Sequence, residues 1–524
     1  MKIAILHHHL NRGGVTRVIQ NHLLALDAVL RRGQTLPVAL VHGGRQMGWP
    51  EDFPERLQSV CLTFHTLGGL DYDEEQPDGA GESGTLGQQL VGLLDDLEFS
   101  PRETVVHVHN HAVGKNISLP QAICSLGQRG YPLLLHIHDF VEDLRTANFR
   151  HLCEGLCGGA PTPRWHGGLY PQAPHFHYAV LNGRDRQILE AAGTEGSRLH
   201  LLSNPVIELD GLPPAAEARH RLAEEFAVSP DDRFMLYPVR GIRRKNLGEA
   251  LLYGRLAPPD SVVGLTLPPL SPGEQAIYAR WQQVADELEL PCRFDVGAEG
   301  GLTFHENLAA SDLILTTSVA EGFGMAYLES WLAGRVVVGR DLPEITTDFR
   351  RAGVRLDSVR PRLQIPVQWV GERPLRHAIQ EAYRATLDAY ERPLPPDLSG
   401  ALDAKIAKGL ADFGDLHEPL QERVLQRVCR SDRDRGQVLE CNPWIEPALA
   451  PTDAEHVSTL VRHNVGAINR HFSLDRSGRR LLKAYRQVQD SPRDKGVKPL
   501  EHADRILDFF LRLERYRLIR SHPD

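Results

Sequence analysis

The stretch Lys2-Ile-Ala-Ile-Leu6-His-His-His9-Leu-Asn11-Arg-Gly-Gly14-Val15-Thr-Arg17 sets the architecture. Lys2 to Leu6 reads as a short buried strand and Asn11 to Gly14 as a turn. Val15 to Leu30 reads as a helix, because Val15, Val18, Ile19, Leu23, Leu26 and Leu30 recur at helical spacing. A strand that passes through a glycine turn into a helix is the opening unit of a parallel α/β sheet. His7 to His9 join that strand directly to the turn, so they are native sequence rather than a tag.

Working outward, Leu36 to Val41, Thr104 to Val108, Leu133 to Ile137, Tyr178 to Leu181 and Leu199 to Leu202 are further short apolar runs. Helical or polar stretches separate them, the rhythm of parallel strands with crossover helices. Asp71 to Gly87, acidic and glycine-rich, is expected to be a mobile surface loop. Near Ser203-Asn-Pro-Val206 the first unit ends, and Gly211 to Arg233 connects it to a second series. Phe234 to Val239, Val262 to Leu267, Arg293 to Val296, Leu313 to Thr316 and Arg335 to Val338 are the candidate strands there. From Leu375 the pattern turns helical, through Ala378 to Tyr390, Leu402 to Leu410, Glu418 to Val428, Val457 to Val488 and a last helix, Leu500 to Ile519. The simplest arrangement is two Rossmann-like domains in tandem, residues 1–205 and 206–450, with a helical segment at 451–524.

Composition narrows the function classes. A chain of 524 residues with 41% hydrophobic and 24% charged residues folds around several cores. A net charge of −9 argues against nucleic acid as the main partner. Seven scattered cysteines fit reduced thiols and a cytoplasmic setting, and Cys153-x3-Cys157 lacks the further ligands of a zinc site. Without a run of about 18 apolar residues, any membrane contact is peripheral. The arginine-rich last helix with Phe509 and Phe510 fits either an anionic lipid surface or packing against the core.

Two segments carry chemistry. In Thr317-Ser-Val-Ala-Glu321-Gly-Phe-Gly-Met-Ala-Tyr-Leu-Glu329, a strand runs into a glycine turn and a helix. Backbone N–H groups around Phe323, Gly324 and Met325 would face an anion, with Glu321 and Glu329 framing the turn near sugar and ribose hydroxyls. A capping carboxylate and a solvated helix glutamate are the bland alternative. Tyr237-Pro-Val-Arg240-Gly-Ile-Arg-Arg-Lys245-Asn246 puts cations at a strand's C-terminal edge, where open α/β sheets bind ligands and a diphosphate needs charge. A solvated basic loop is its alternative reading.

Together, Asn11-Arg-Gly-Gly-Val-Thr-Arg17, the Arg240-x4-Lys245 pair and the Glu-x7-Glu segment, in that order along the chain, resemble the retaining GT-B glycosyltransferases of the family 4 type. The similarity runs over residues 1 to about 490, and Asn464 to Asp490 resembles that family's C-terminal helices, one of which crosses back to the first domain. The resemblance implies two Rossmann-like domains facing across a cleft that holds a nucleotide diphosphate sugar, a UDP- or GDP-sugar. Arg240 and Lys245 would bind the diphosphate, Glu329 the ribose and Glu321 the donor sugar. Gly13 and Gly14, lacking Cβ, would approach the diphosphate or acceptor closely. His138, in Leu135-His-Ile-His138-Asp139, matches a histidine near the reacting sugar. It also implies transfer of a hexose to a hydroxyl acceptor with retention, without a metal or other cofactor. Val239 stands where the family usually has glycine, and Arg243 and Arg244 add unexpected charge.

Arg17, Asn110, Lys115 and Asn116 are the expected acceptor-side residues; Lys115 would suit a phosphate or carboxylate on a small acceptor, and solvated loop residues are the other reading. His107, His109 and His111 alternate, as do His136 and His138, so each set shares one face. No carboxylate spacing accompanies them, so no metal site is assigned. A homodimer is compatible with the sequence. The rival functions are a nucleotide-sugar epimerase or hydrolase on the same fold, and a non-catalytic nucleotide-sugar-binding subunit.

Overall fold

The computed structural model describes residues 1–31, 33–76, 85–157, 163–209, 211–451 and 453–521. The chain divides into two compact units, Met1–Ile207 with Arg470–Leu511 and Glu208–Asn469 with Arg512–Asp524.

The first unit is built on strands β1 (Lys2–His7), β2 (Leu36–His42), β3 (Val60–Thr66), β4 (Thr104–His109), β5 (Leu133–Ile137), β6 (Phe176–Val180) and β7 (Leu199–Leu201). Their order is β3-β2-β1-β4-β5-β6-β7, every pair parallel. β4, β5 and β6 are buried along their whole length, as expected of parallel strands covered on both faces. β3, absent from the sequence reading, is the edge strand; its Val60-Cys-Leu-Thr-Phe-His-Thr66 alternates with polar residues and gives no continuous apolar run.

The second unit holds β8 (Arg233–Arg240), β9 (Ser261–Leu267), β10 (Cys292–Arg293), β11 (Leu313–Thr316), β12 (Val336–Arg340) and β13 (Val359–Arg360). The order β10-β9-β8-β11-β12-β13, again parallel, repeats the wind of the first sheet. An antiparallel pair, β14 (Gln364–Pro366) and β15 (Leu410–Asp412), stands apart, so the helix expected over Leu402 to Leu410 ends at Lys405 and gives way to a strand.

Several sequence expectations change. Asp71–Gln76 is a structured turn: Asp71 is buried and accepts from Arg45 Nε and Nη2 (2.7 and 2.6 Å), and Thr85 onward is helix. Residues 77–84 of that expected loop lie outside the described residues. Val457 to Val488 is two helices, Ala454–Phe472 and Leu474–Gln489; Ser473 caps the second, its hydroxyl accepting from the Arg476 N–H. Helix Leu474–Gln489 returns to the first unit, where Leu481, Ala484, Tyr485 and Val488 pack on Ile19, Leu23 and Leu26 of helix Gly14–Val29. Gly478 permits the close approach, since a Cβ there would lie 2.0 Å from the Ala25 carbonyl oxygen.

The segment from 451 on is thus not a body of its own but is shared between the units. The last helix is also shorter than expected, Asp504–Phe510, followed by two tight turns. Ile506, Leu507 and Phe510 are buried, Phe510 against Phe140 with ring centres 5.3 Å apart, so this face packs on the core. No helix among the described residues is long and apolar enough to cross a membrane.

Candidate functional site

In the second unit, two loops at the C-terminal ends of β8 and β11 are stitched together. The Tyr237 hydroxyl and Thr317 Oγ1 both donate to the Lys245 carbonyl (2.8 and 2.9 Å), and the Val319 N–H donates to the Arg244 carbonyl (2.9 Å). Asn246, buried with φ 54°, turns the chain into helix Leu247–Leu256; its amide donates to Glu249 (2.8 Å) and accepts from Gln421 (2.7 Å).

This stitching sets Lys245 Nζ against Glu321 Oε1, while Arg244 Nη1 holds Oε2 at 3.0 Å. Burial alone would raise the Glu321 carboxyl, but Lys245 and Arg244 outweigh it and hold it at about 2. Burial lowers the Lys245 ammonium, and Glu321 opposes that shift. Arg243 turns away into a two-point pair with Glu418 (2.6 and 2.8 Å). Of the two extra arginines, one is neutralised elsewhere and the other joins the Glu321 cluster. Arg240, the last residue of β8, does not enter the pair; its Nη1 donates to the Pro268 carbonyl (2.8 Å).

Gly324 has φ +83°, and a Cβ there would strike the Tyr327 ring at 2.8 Å, so glycine is required in this turn. Phe323 is buried against Phe349, ring centres 5.3 Å apart. Met325 precedes the seven-residue helix Ala326–Leu332, which carries Glu329 in its first turn. The Glu329 N–H donates to the Met325 carbonyl (2.8 Å).

In the first unit the histidines gather. His107 and His109 lie on one face of β4, and His136 sits in register beside His109 on β5. His138 follows the end of β5, and His22 of helix Gly14–Val29 stacks over His136 with ring centres 5.5 Å apart. His109 Nδ1 and His138 Nε2 are 2.9 Å apart, His107 Nε2 and His136 Nδ1 3.2 Å, and His107 Nδ1 meets the Tyr485 hydroxyl at 2.8 Å. Burial pushes all five rings towards the neutral form, His22 down to about 3 and His138, despite Asp139, to about 4. His22 and Tyr485 are the members that sequence reasoning missed. His22 occupies a helix position between the core residues Ile19 and Leu26, and that placement is the signal that marks it as inward-facing.

The expected acceptor-side residues separate. Asn116 donates to the Gly69 and Asp71 carbonyls (2.8 and 2.7 Å) and accepts from the Ser118 and Leu119 N–H groups (3.0 and 2.8 Å). Its amide is fully used, so it shapes the loop rather than meeting a ligand. Asn110, left-handed at φ 59°, accepts from the His138 and Asp139 N–H groups (3.3 and 2.8 Å) and donates to Asp139 (3.0 Å), fixing the end of β5. Lys115 pairs with the exposed Glu74 (2.9 Å) above the Tyr72 ring. Gly13 and Gly14 are exposed at the start of their helix, and a Cβ at Gly14 would meet nothing within 4 Å. Packing does not require glycine there. Arg17 is exposed one turn further on.

No family model matches the chain. Mannosylglucosyl-3-phosphoglycerate synthase of Petrotoga mobilis is 26% identical over 359 residues, which span 66% of this chain and 66% of that protein. A glycosyltransferase of Rickettsia africae superposes with a TM-score of 0.53 at 11% identity, over 93% of this chain and 98% of that one. Sucrose-phosphate synthase of Thermosynechococcus elongatus gives 0.51 at 15% identity, over 93% and 99%. Anabaena HepE, solved in complex with UDP, gives 0.51 at 12% identity, over 93% and 100%. The chain shares the GT-B fold of these proteins.

Proposed function

We propose that this GT-B chain is a glycosyltransferase of the retaining, family 4 type, moving a hexosyl group from a UDP- or GDP-sugar to a hydroxyl of a small anionic acceptor. The observation that carries the reading is the Lys245–Glu321–Arg244 cluster at the strand ends of the second sheet, with Arg240 at the end of β8. Two cations, Lys245 and Arg244, meet one carboxylate, and Arg240 adds a third positive charge at the end of the preceding strand; that surplus suits a diphosphate leaving group without a metal. Lys245 and Arg240 would stabilise the departing phosphate, and Glu321, held ionised, would accept hydrogen bonds from donor-sugar hydroxyls. Glu329 and the Phe323–Met325 turn would hold the ribose and phosphate.

In the transfer, the bond from the anomeric carbon to the phosphate oxygen breaks and the bond to the acceptor oxygen forms on the same face. The acceptor proton passes to the departing phosphate oxygen, so no protein nucleophile is needed. The Petrotoga relative's name contains a phosphoglycerate, which supports an anionic acceptor, with Arg17 and Lys115 as its counter-charges. UDP held by HepE supports a uridine donor. The seven scattered cysteines suit a reducing cytoplasm.

The test is a panel of UDP-, GDP- and ADP-sugars, each with and without phosphoglycerate acceptors and with chelator present. Release of nucleoside diphosphate, and the anomeric configuration of the product by NMR, are the readouts. One donor turned over with retention, unaffected by chelator, is expected. Turnover of the donor with no product bond to any acceptor would favour a hydrolase or epimerase, and no donor binding would favour a non-catalytic subunit.

A further inference from the structure

Buried imidazoles in the first unit meet at His109, which belongs to two groups of three: His22, His107, His109 and His109, His136, His138. In each group one nitrogen per ring can be chosen so that all three lie within 4.8 Å of one another. Three imidazoles select a late first-row cation such as Zn²⁺ or Co²⁺ over Mg²⁺ or Ca²⁺, which take oxygen ligands. With Zn–N bonds of about 2.0–2.1 Å, tetrahedral ligand nitrogens sit about 3.4 Å apart, so the rings need draw in by roughly an ångström.

We propose that His109, His136 and His138 bind one such divalent cation. Three observations support this group, and the last sets it apart from the deeper one, where His22 Nδ1 is likewise buried with no hydrogen-bond partner among the described residues. His109 Nε2 and His136 Nε2 are buried with no hydrogen-bond partner among the described residues, although both rings use their other nitrogen. A bound cation would satisfy the His136 Nε2 lone pair and take the place of the proton shared by His109 Nδ1 and His138 Nε2, which already lie 2.9 Å apart.

Next, His136 is oriented from behind. Its Nδ1 meets His107 Nε2 at 3.2 Å, and His107 is held in turn by the Tyr485 hydroxyl at 2.8 Å. Such a chain fixes which nitrogen a histidine presents to a metal.

Finally, His138 lies beyond the strand end and is 7% exposed, whereas His107, His109 and His136 are fully buried. A cation has a way in at that end, and three protein ligands leave a fourth position for water. All three ligands belong to the first unit, and the assignment does not depend on the transfer reaction.

The experiment uses full-length protein stripped with chelator and titrated with Zn²⁺ or Co²⁺ alone. Elemental analysis after gel filtration gives the stoichiometry, and the visible Co²⁺ spectrum gives the geometry. One tightly held equivalent with the intense bands of a tetrahedral nitrogen site is expected. His109→Gln and His138→Gln should each weaken binding at least a hundredfold, and His22→Gln should leave it unchanged. Should His109→Gln fail to fold by circular dichroism, His138→Gln at the rim decides. No equivalent retained, or an equivalent untouched by His138→Gln, overturns the assignment. Loss with His22→Gln but not with His138→Gln places the cation in the deeper triad and overturns it equally.

Discussion

The two sheets share a strand order but differ in what polarity they bury at their centres, although the first unit also pairs buried Asp71 with Arg45 and Asp185 with Arg184. The first unit fills its centre with imidazoles that shed their protons: His22, His107, His109, His111 and His136 are all buried and all shifted down, and the stacked pair of buried His177 and half-buried His200 is shifted down too. The second unit buries full charges and pairs them. Arg340, 2% exposed, donates from Nε to Glu249 (3.1 Å) and from Nη1 and Nη2 to Asp412 (2.9 and 2.8 Å). Arg517 then joins Asp412 (3.1 Å) and Asp415, and Lys405 donates to Asp415 (3.2 Å) and to the Tyr516 carbonyl (2.7 Å). A group that can neutralise itself survives burial alone, whereas a guanidinium cannot and must have a partner. The two units should therefore fail under different insults.

Acid is the largest. A histidine whose folded pKa lies below 6.5 binds its proton only in the unfolded chain through that interval, so stability falls as pH drops from about 6.5 towards the folded value. His177 at about 3 and His200 at about 4 give the window, and the other rings add to it in the same direction. Each such ring costs about 1.4 kcal/mol per pH unit, so a few together rival the 5–15 kcal/mol that holds a domain. In the second unit Glu321, at about 2, contributes stability above its unfolded value near 4.5 and loses it only below that. Hydrogen exchange on chelator-treated protein between pH 7.5 and 5, corrected for intrinsic rates, should show peptides of the first sheet opening while those of the second stay protected. Equal opening of both would break the comparison.

Pair removal is the complementary insult. Arg340→Ala strips buried Glu249 of its cation and leaves Asp412 with Arg517, and a loss of about 3–5 kcal/mol in denaturant titrations is expected, confined to second-unit peptides in exchange. At the functional cluster the same logic reaches activity. Lys245→Ala should cut sugar transfer by about 10²–10³-fold with the fold intact, as for loss of one preorganised transition-state charge. The Glu321 carboxyl, left with Arg244, should move up from about 2, visible by NMR titration. An unchanged transfer rate would remove Lys245 from the diphosphate site.

Much of this was legible from residue order. The strand–glycine–helix opening and the apolar runs mark most strands of both sheets, because parallel strands buried on two faces leave unbroken Val/Ile/Leu signatures. Edge strand β3 and two-residue β13 escape because neither needs such a run. Lys245 and Glu321 stand out by spacing, but their mutual pairing does not, since it depends on Tyr237 and Thr317 drawing two distant loops onto one carbonyl. Asn110 and Asn116 look like ligand contacts in sequence, and only their hydrogen-bond partners reveal that they build loops. The histidine gathering combines a period-two pattern that is visible with cross-strand register, a helix residue and a tyrosine 378 residues from the His107 it bonds that are not.

The smallest expected effect tests what the charges and imidazoles do not explain, the return of the chain to the first unit. Helix Leu474–Gln489 lies so close to helix Gly14–Val29 that Gly478 faces the Ala25 carbonyl with no space for a Cβ. Gly478→Val must push the helices apart, at a cost of about 1–3 kcal/mol for overpacking. The displacement would also pull Tyr485 from His107, because that tyrosine sits two turns further along the same helix. Stability and the histidine array should therefore respond together: a lower melting temperature and, in Co²⁺-loaded protein, a weaker and shifted visible band. A stability loss with an unaltered Co²⁺ spectrum would show that Tyr485 holds its place independently of helix spacing, and would separate the packing of the first unit from the orientation of its imidazoles.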